Sequence, residues 1–337
     1  MSEKPNTYSK AGVDIKREGQ AIDSITSWVT KSFKFREGKL GSVISDIGSF
    51  ANLIDLGDKA LALCMDGVGS KLLVAQKLEK YDTIGIDLVA MNVNDVICCG
   101  AEPVCMVDYL AMEKMDYEQA KEIAAGIYVG AEQAQIAVIG GETATLPEMI
   151  CGIGDRGFDL AAAVIGVADK DKIITGEDIK PGDKVIGLQS SGIHSNGLTL
   201  ARKALPKSMW LNLLTPTRIY VKEVLELMKD YELKGMANIT GGGLLNLKRL
   251  CSHGFRLDNM PTPPVVFNHI RKEADVSVKE MYKTFNMGMG FSIIAGPETC
   301  EKIIEARGEE FQAQIVGEVV EEEGVKLILD GQEHIID

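Results

Sequence analysis

A chain of 337 residues, 45% apolar and 25% charged, is long enough for two domains with cores of their own. Its formal net charge of −13 argues against binding nucleic acid or an anionic membrane surface, although a lysine or divalent cation in a pocket can still attract a phosphorylated small molecule. Met1 to Lys10 is polar, no apolar run reaches the roughly 18 residues of a membrane span, and the seven cysteines lack zinc-ribbon spacing, so a cytoplasmic protein with reduced thiols is expected.

Ile22, Ile25, Trp28 and Val29 recur at helical spacing after the Gly12-Val13-Asp14 turn, which predicts an amphipathic helix over 19–33. Residues 41–58, rich in Gly and Ser and containing Asp46-Ile47-Gly48-Ser49-Phe50, read as a flexible loop leading to the first strand. That strand, Ala60 to Met65, turns sharply at Asp66-Gly67-Val68-Gly69-Ser70-Lys71, where the glycines free the backbone. A helical pattern follows in Leu72, Leu73, Ala75 and Leu78. Ile84 to Asp87 then leads into a helix over 87–97, on which Asp87 and Asn94 share a face with Asp95 close beside them. Carboxylates near a Gly-rich turn that carries a lysine suit a Mg–phosphate site, with oxygen ligands for the metal and N–H donors for the phosphate. The turn lacks Gly-x-x-x-x-Gly-Lys-Ser/Thr and is not a P-loop. Taken alone, an ordinary strand-to-helix turn is the simpler reading; the recurrence of related patterns downstream changes that.

Pro103 to Leu110 reads as a strand carrying Asp108, and 117–133 as a helix with Ala120, Ile123, Ala124, Ile127 and Ala131 facing inward. Ile136 to Ile139 is expected to be a short buried strand running into Gly140-Gly141-Glu142-Thr143, which sets an acidic residue where open α/β sheets bind ligands. Phe158 to Val167 is a further strand. Asp, Lys, Gly and Pro181 dominate 169–184, placing a boundary between domains 1–170 and 171–337. The second half opens with a strand at 185–188 and a polar loop, 189–197, which carries His194 and reads either as a surface turn or as a pocket wall. Helices are expected at 197–204 and 216–229. Asn238-Ile239-Thr240-Gly241-Gly242-Gly243 opens another, containing Leu244, Leu245, Leu247 and Leu250; its free N–H donors make either an anion site or a bare helix end. Thr284 to Gly290 precedes a strand at 291–295, then a helix at 297–307 and strands at 311–320 and 325–329. The class is α/β (α+β), in two domains.

Taken together these stretches resemble the aminoimidazole ribonucleotide synthetase family over nearly the whole chain. The matching motifs are Gly12-Val13-Asp14, Asp66 to Lys71, Asp82 to Asp95, Gly100-Ala101-Glu102-Pro103, Gly140 to Ala144, Ser191 to Gly197, Pro216 to Val221, Ile239 to Gly243 and Glu280 to Asn286, in family order. Each is weak alone; in order they make chance a poor explanation. The resemblance implies two α/β domains, with the N-terminal sheet pairing across a homodimer. It also implies a reaction in which ATP phosphorylates the formyl amide oxygen of formylglycinamidine ribonucleotide and an amidine nitrogen closes the ring, giving aminoimidazole ribonucleotide, ADP and phosphate. Carried over by motif, Asp66, Asp87, Asp95 and Glu142 are metal-side carboxylates for Mg2+, with K+ as a further cation. Gly67, Gly69, Ser70, Asn94, Gly141, Thr143 and Gly241 to Gly243 join them around the nucleotide. Lys71 and Asp95 are catalytic with His194, whose imidazole would transfer a proton from a pocket-facing position. Ser191, Asn196 and Thr240 contact the phosphorylated substrate.

Three stretches depart from the family. Asp46-Ile47-Gly48-Ser49-Phe50-Ala51 stands where Gly-x-Gly-Gly-Phe-Gly-Gly is usual, Asn238 replaces a histidine, and Asp159-Leu160-Ala161-Ala162 has alanine for glycine. They leave an alternative open: a nucleotide-binding paralogue with altered substrate or weakened catalysis. Relatives of the same architecture fit less well. A selenophosphate synthetase needs a reactive residue near its N-terminus, whereas the first cysteine is Cys64; the hydrogenase-maturation dehydratase needs a C-terminal cysteine, whereas this sequence ends Ile335-Ile336-Asp337.

Overall fold

The computed structural model describes residues 5–7, 9–12, 15–45 and 47–337; Val13, Asp14 and Asp46 of the motifs above lie outside the described residues. The first half comprises α1 (Ile15–Val29), β1 (Asn52–Asp55), β2 (Lys59–Gly67), α2 (Leu72–Leu78), α3 (Ile84–Ile97), β3 (Glu102–Met112), α4 (Tyr117–Ala134), β4 (Ala137–Thr145) and β5 (Phe158–Asp169). Its strands form one sheet in the order β1-β2-β5-β3-β4, in which only β3 and β4 run parallel. β1 lies inside the stretch expected to be loop: Asn52-Leu53-Ile54-Asp55 pairs antiparallel with β2, and its short apolar pattern is hidden among glycines and serines.

Helix α3 is the centre of the molecule. Apolar on almost every side, it lies against β2, β5 and α4 of its own half and against α6 and β7 of the other. Contact with α4 is backbone to backbone: a Cβ on Gly85 would come 2.3 Å from Ile127 N, and one on Gly126 would come 2.2 Å from Asp82 O. The helix starts at Ile84 rather than at 87, so Asp87 occupies its first turn. β4 also departs from expectation. It is exposed along most of its length, with Ile139 65% exposed, because it is the edge strand and its outer face is uncovered in a single chain.

The second half contains β6 (Lys184–Gln189), α5 (Leu198–Ala204), α6 (Val221–Asp230), β7 (Gly235–Asn238), β8 (Gly254–Leu257), α7 (Val265–Ala274), α8 (Val278–Thr284), β9 (Met289–Ala295), α9 (Pro297–Arg307), β10 (Ala313–Val320), β11 (Val325–Leu329) and β12 (Gln332–Ile336). These strands build a second sheet, ordered β12-β11-β8-β10-β6-β9-β7, with fully buried β9 inside it. The helix expected from 216 begins only at Val221; residues 215–220 form an irregular strap whose backbone is claimed by α3. Past β7, the Gly-rich turn enters a short 3-10 segment, Gly243–Arg249, rather than an α-helix, with Gly242 and Gly243 at positive φ. Among the described residues no helix is long and apolar enough to cross a membrane.

Candidate active site

The end of β2 and the last turn of α3 together present two acids. Asp66 is fixed through its backbone: its N–H donates to Asn92 Oδ1 at 2.9 Å, its carbonyl accepts from Asn92 Nδ2 at 3.2 Å, and the Gly67 N–H donates to Asp66 Oδ1 at 2.7 Å. Asp95, one turn beyond Asn92, accepts from Asn238 Nδ2 of β7 at 2.8 Å and lies 3.8 Å from the Cys64 thiol. Burial pushes Asp95 up to about 7; the negative charge of Asp66 adds to this, while the Asn238 bond and the Arg249 guanidinium oppose it. Burial also raises Asp66 above the usual carboxylate range.

Neighbouring, desolvated carboxylates hold negative charge poorly, and a cation between them would relieve both. Among the described residues no three His, Cys, Asp or Glu side chains gather as a metal cage. Mg2+ does not need one, since it takes one or two carboxylates and completes its shell with phosphate oxygens and water. Asp66 and Asp95 fit such an ion.

The other expected metal ligands lie elsewhere. Asp87 is eight residues before Asp95 on α3, roughly 12 Å along the axis. It is fully buried in an ion pair with Lys71, at 2.8 Å, and accepts from Thr217 N–H and Oγ1 at 2.8 and 2.6 Å. The Lys71 ammonium has three N–H bonds, and they go to Asp87, the Thr215 carbonyl (2.7 Å) and the His194 carbonyl (3.2 Å). Lys71 thus spends its three N–H bonds on protein acceptors, and Lys71 and Asp87 form a buried contact between the two halves. Asn94 is committed in the same way, accepting from the Tyr220 N–H at 3.0 Å and donating to the Arg218 carbonyl at 2.9 Å. Glu142 sits three strand spacings from Asp66, through the register Asp66–Ala162–Asp108–Gly141, which is roughly 14 Å. Within one chain Gly141, Glu142 and Thr143 are thus apart from the acidic pair.

His194 is enclosed as well. The ring is 2% exposed, its Nε2 has no partner, and burial, with Lys71 and Arg218 adding to it, lowers the imidazole to about 3. In this setting the imidazole is held neutral at neutral pH. Ser191 lies in a separate cleft of about 240 Å³ beside Asn212, Thr215 and His269, its Oγ donating to the Pro216 carbonyl at 2.5 Å. Asn196 and Thr240, by contrast, come together at the Gly241–Gly243 turn, where a Cβ on Gly241 would meet Asn196 Oδ1 at 3.2 Å. Asn246 Nδ2 ties the turn by donating to the Gly241 and Gly243 carbonyls at 3.2 and 2.9 Å. At the first Gly-rich turn, Gly69 has φ +67 and Ser70 Oγ is 3.0 Å from Thr199 Oγ1 of α5.

Several residues at the site were missed from sequence. Asn92 could have been suspected as a buried amide in an otherwise apolar helix. Nothing local points to Arg249, whose Nε and Nη2 donate to the Gly48 carbonyl, 201 residues away, at 3.2 and 3.1 Å. Its guanidinium also stacks 3.8 Å from the Phe50 ring centroid, pinning the altered 47–51 loop to the second half. A cavity of about 580 Å³ opens here, lined by Ser45, Ser49, Phe50, Thr175 and Arg249 among others. Asn238, one of the departures from the family pattern, supplies the amide that holds Asp95.

Two family descriptions match the chain: "AIR synthase related protein, N-terminal domain" over residues 48–168 and "AIR synthase related protein, C-terminal domain" over residues 180–330. The chain is 49% identical to the phosphoribosylformylglycinamidine cyclo-ligase of Thermococcus kodakarensis over 332 residues, 95% of this chain and 97% of the relative. It is 48% identical to that of Pyrococcus furiosus, over 95% of this chain and 96% of the other. Among solved structures, ThiL complexed with AMPPCP and TMP shares the fold at a TM-score of 0.64 and 16% identity, covering 91% of this chain and 93% of that one. Hydrogenase maturation protein HypE in complex with ATP does so at 0.63 and 18%, covering 82% and 84%.

Proposed function

The chain belongs to the AIR synthase related protein family, and from that premise we propose that it is the ATP-dependent cyclo-ligase converting formylglycinamidine ribonucleotide to aminoimidazole ribonucleotide in purine biosynthesis. The observation that carries this is near full-length identity of 49% to a relative named for that reaction. The site supports it chemically. Asp66 and Asp95 are the residues that would hold Mg2+, which when bound would supply charge neutralisation for phosphoryl transfer. Asn92 fixes the Asp66 backbone, and the Gly67 N–H and the Asn238 amide donate to the Asp66 and Asp95 carboxylates. Asn196, Thr240 and the Gly241–Gly243 turn receive the phosphorylated substrate from the second domain, 171–337, so donor and acceptor meet where the two domains face each other.

In the reaction the bond between the γ-phosphorus and its bridging oxygen breaks as the formyl amide oxygen bonds to phosphorus. The amidine nitrogen then attacks the formyl carbon, the carbon–oxygen bond breaks, phosphate leaves, and a proton is released as the ring closes. The residues contribute alignment and charge compensation rather than covalent chemistry.

The protein acts as a homodimer in this reading. Support comes from the exposed outer face of the first sheet, where Leu63, Met65, Val107, Tyr109 and Ile139 are uncovered. Gly141, Glu142 and Thr143, remote from Asp66 in their own chain, act from the second copy. The deciding experiment incubates the protein with formylglycinamidine ribonucleotide, MgATP and KCl and follows aminoimidazole ribonucleotide. Product that disappears with chelator and returns with Mg2+ is the expected result; ATP hydrolysis without product would favour the paralogue reading instead.

A further inference from the structure

The seam between the two halves runs along one face of α3, and its polar groups are buried. Lys71 and Asp87, both 0% exposed, pair with each other inside the first half, yet their other bonds reach into the second. Lys71 holds the carbonyls of His194 and Thr215, Asp87 holds the N–H and hydroxyl of Thr217, and two turns further along α3 Asn94 grips the strap at Arg218 and Tyr220. Ser195 Oγ, next to His194, is 3.3 Å from Thr217 Oγ1. The strap at Thr215, Thr217, Arg218 and Tyr220, and the loop 190–197 at the His194 carbonyl, are therefore held by polar side chains of the first half, and the Ser195–Thr217 contact ties loop to strap. A buried ion pair adds little net stability, because desolvation offsets most of its Coulomb attraction. Its distinctive effect is on geometry.

We propose that Lys71, Asp87 and Thr217 are positioning residues for ring closure: they hold the loop 190–197 and the Asn196 side chain on it at a fixed offset from the Asp66–Asp95 carboxylates. None of the three touches ATP or substrate. The inference rests on the cyclo-ligase reading above. Phosphoryl transfer is sensitive to such an offset, since a misplacement of about 1 Å can cost ~10²-fold in rate. A lysine bound to phosphate and a lysine that aligns two domains differ in what their loss does. The first weakens nucleotide binding, and the second spares it while turnover collapses.

The test uses full-length protein carrying Lys71→Met with Asp87→Leu, which removes both charges and leaves neither orphaned, alongside Thr217→Val and Thr217→Ser. The double variant and Thr217→Val are expected to bind a non-hydrolysable MgATP analogue within about threefold of wild type by calorimetry, with kcat reduced about tenfold or more. Thr217→Ser, which keeps the hydroxyl, restores most of kcat. If the double variant does not fold, Thr217→Val carries the test, as it removes one hydroxyl from an otherwise unchanged seam. A tenfold loss of nucleotide affinity with kcat retained would return Lys71 to the phosphate. Wild-type constants in folded variants would make the seam merely structural. Wild-type protein that makes no aminoimidazole ribonucleotide refutes the underlying reading itself, an outcome separate from both.

Discussion

At the scale of single residues, His194 and Asp95 show burial acting on charge in opposite directions. The His194 imidazole takes a proton near 6.5 when unfolded but only at about 3 when folded. Between those values the unfolded chain binds more protons, so the contribution to stability is complete above about 6.5 and lost as pH falls toward 3. Melting temperatures measured stepwise from pH 7 to pH 4 should fall. The slope should be shallower in His194→Asn, a residue that tolerates the left-handed backbone at φ 60. Asp95 behaves in reverse, its folded value being raised from 3.8 to about 7, so its stabilising contribution is lost as pH rises through that value. Asp95→Asn should accordingly melt higher than wild type at pH 8 while losing Mg-dependent turnover by ~10²-fold, a separation of stability from function seen at strained sites. A variant that melts lower and keeps its turnover would remove Asp95 from the cation site.

At the scale of elements, the contact between α3 and α4 sets where the carboxylates sit. Gly85 and Gly126 let the two helices meet backbone to backbone, and Gly130 makes room for the Val89 side chain. Gly126→Ala places a methyl 2.2 Å from the Asp82 carbonyl, an overpacking that should cost about 1–3 kcal/mol, or more where backbone must move. Denaturant unfolding should show a lower midpoint with unchanged slope, and nucleotide affinity should fall with it, because α3 carries both Asn92 and Asp95. Helix α3 was readable from its apolar pattern, and so were the flanking strands. The strap at 215–220 was not: its residues carry a helical pattern, and only the demands of Asp87 and Asn94 on its backbone keep it irregular. Tertiary hydrogen bonds outweighed local propensity there.

At the scale of the whole molecule, the outer face of the first sheet is the feature a single chain leaves unfinished. Met65 is 71% exposed and opposes Ala163, which in turn opposes Val107, so an apolar row crosses three strands, uncovered among the described residues. Met65→Lys should convert a particle of about twice 36.5 kDa in light scattering to one of 36.5 kDa and abolish ring closure with it. A monomeric variant with full activity would mean that Glu142 is not needed from a second copy.

The sequence by itself determined the α/β class, most elements, the family and the chemistry. The class and the elements rest on apolar periodicity and Gly-rich turns, and the family and its chemistry on the resemblance carried by the ordered motifs from Gly12 to Asn286. Through the family resemblance it marked Asp66, Asp87, Asp95 and Glu142 alike as metal-side carboxylates, and it is the fold that brings the first and third of these near each other. Only the tertiary structure decided which charged side chains are free to meet a ligand. Lys71, Asp87 and Asn94 have the right chemistry at the right spacing, but the second domain closes over them and takes their hydrogen bonds. His194 sits in a polar loop whose sequence looks solvent-facing, yet that loop is packed beneath the strap. Arg249 and Asn238 reach the site from more than a hundred residues away. The side chain of an ionisable residue is available only if no closer partner satisfies it, and the partners here are brought by the fold.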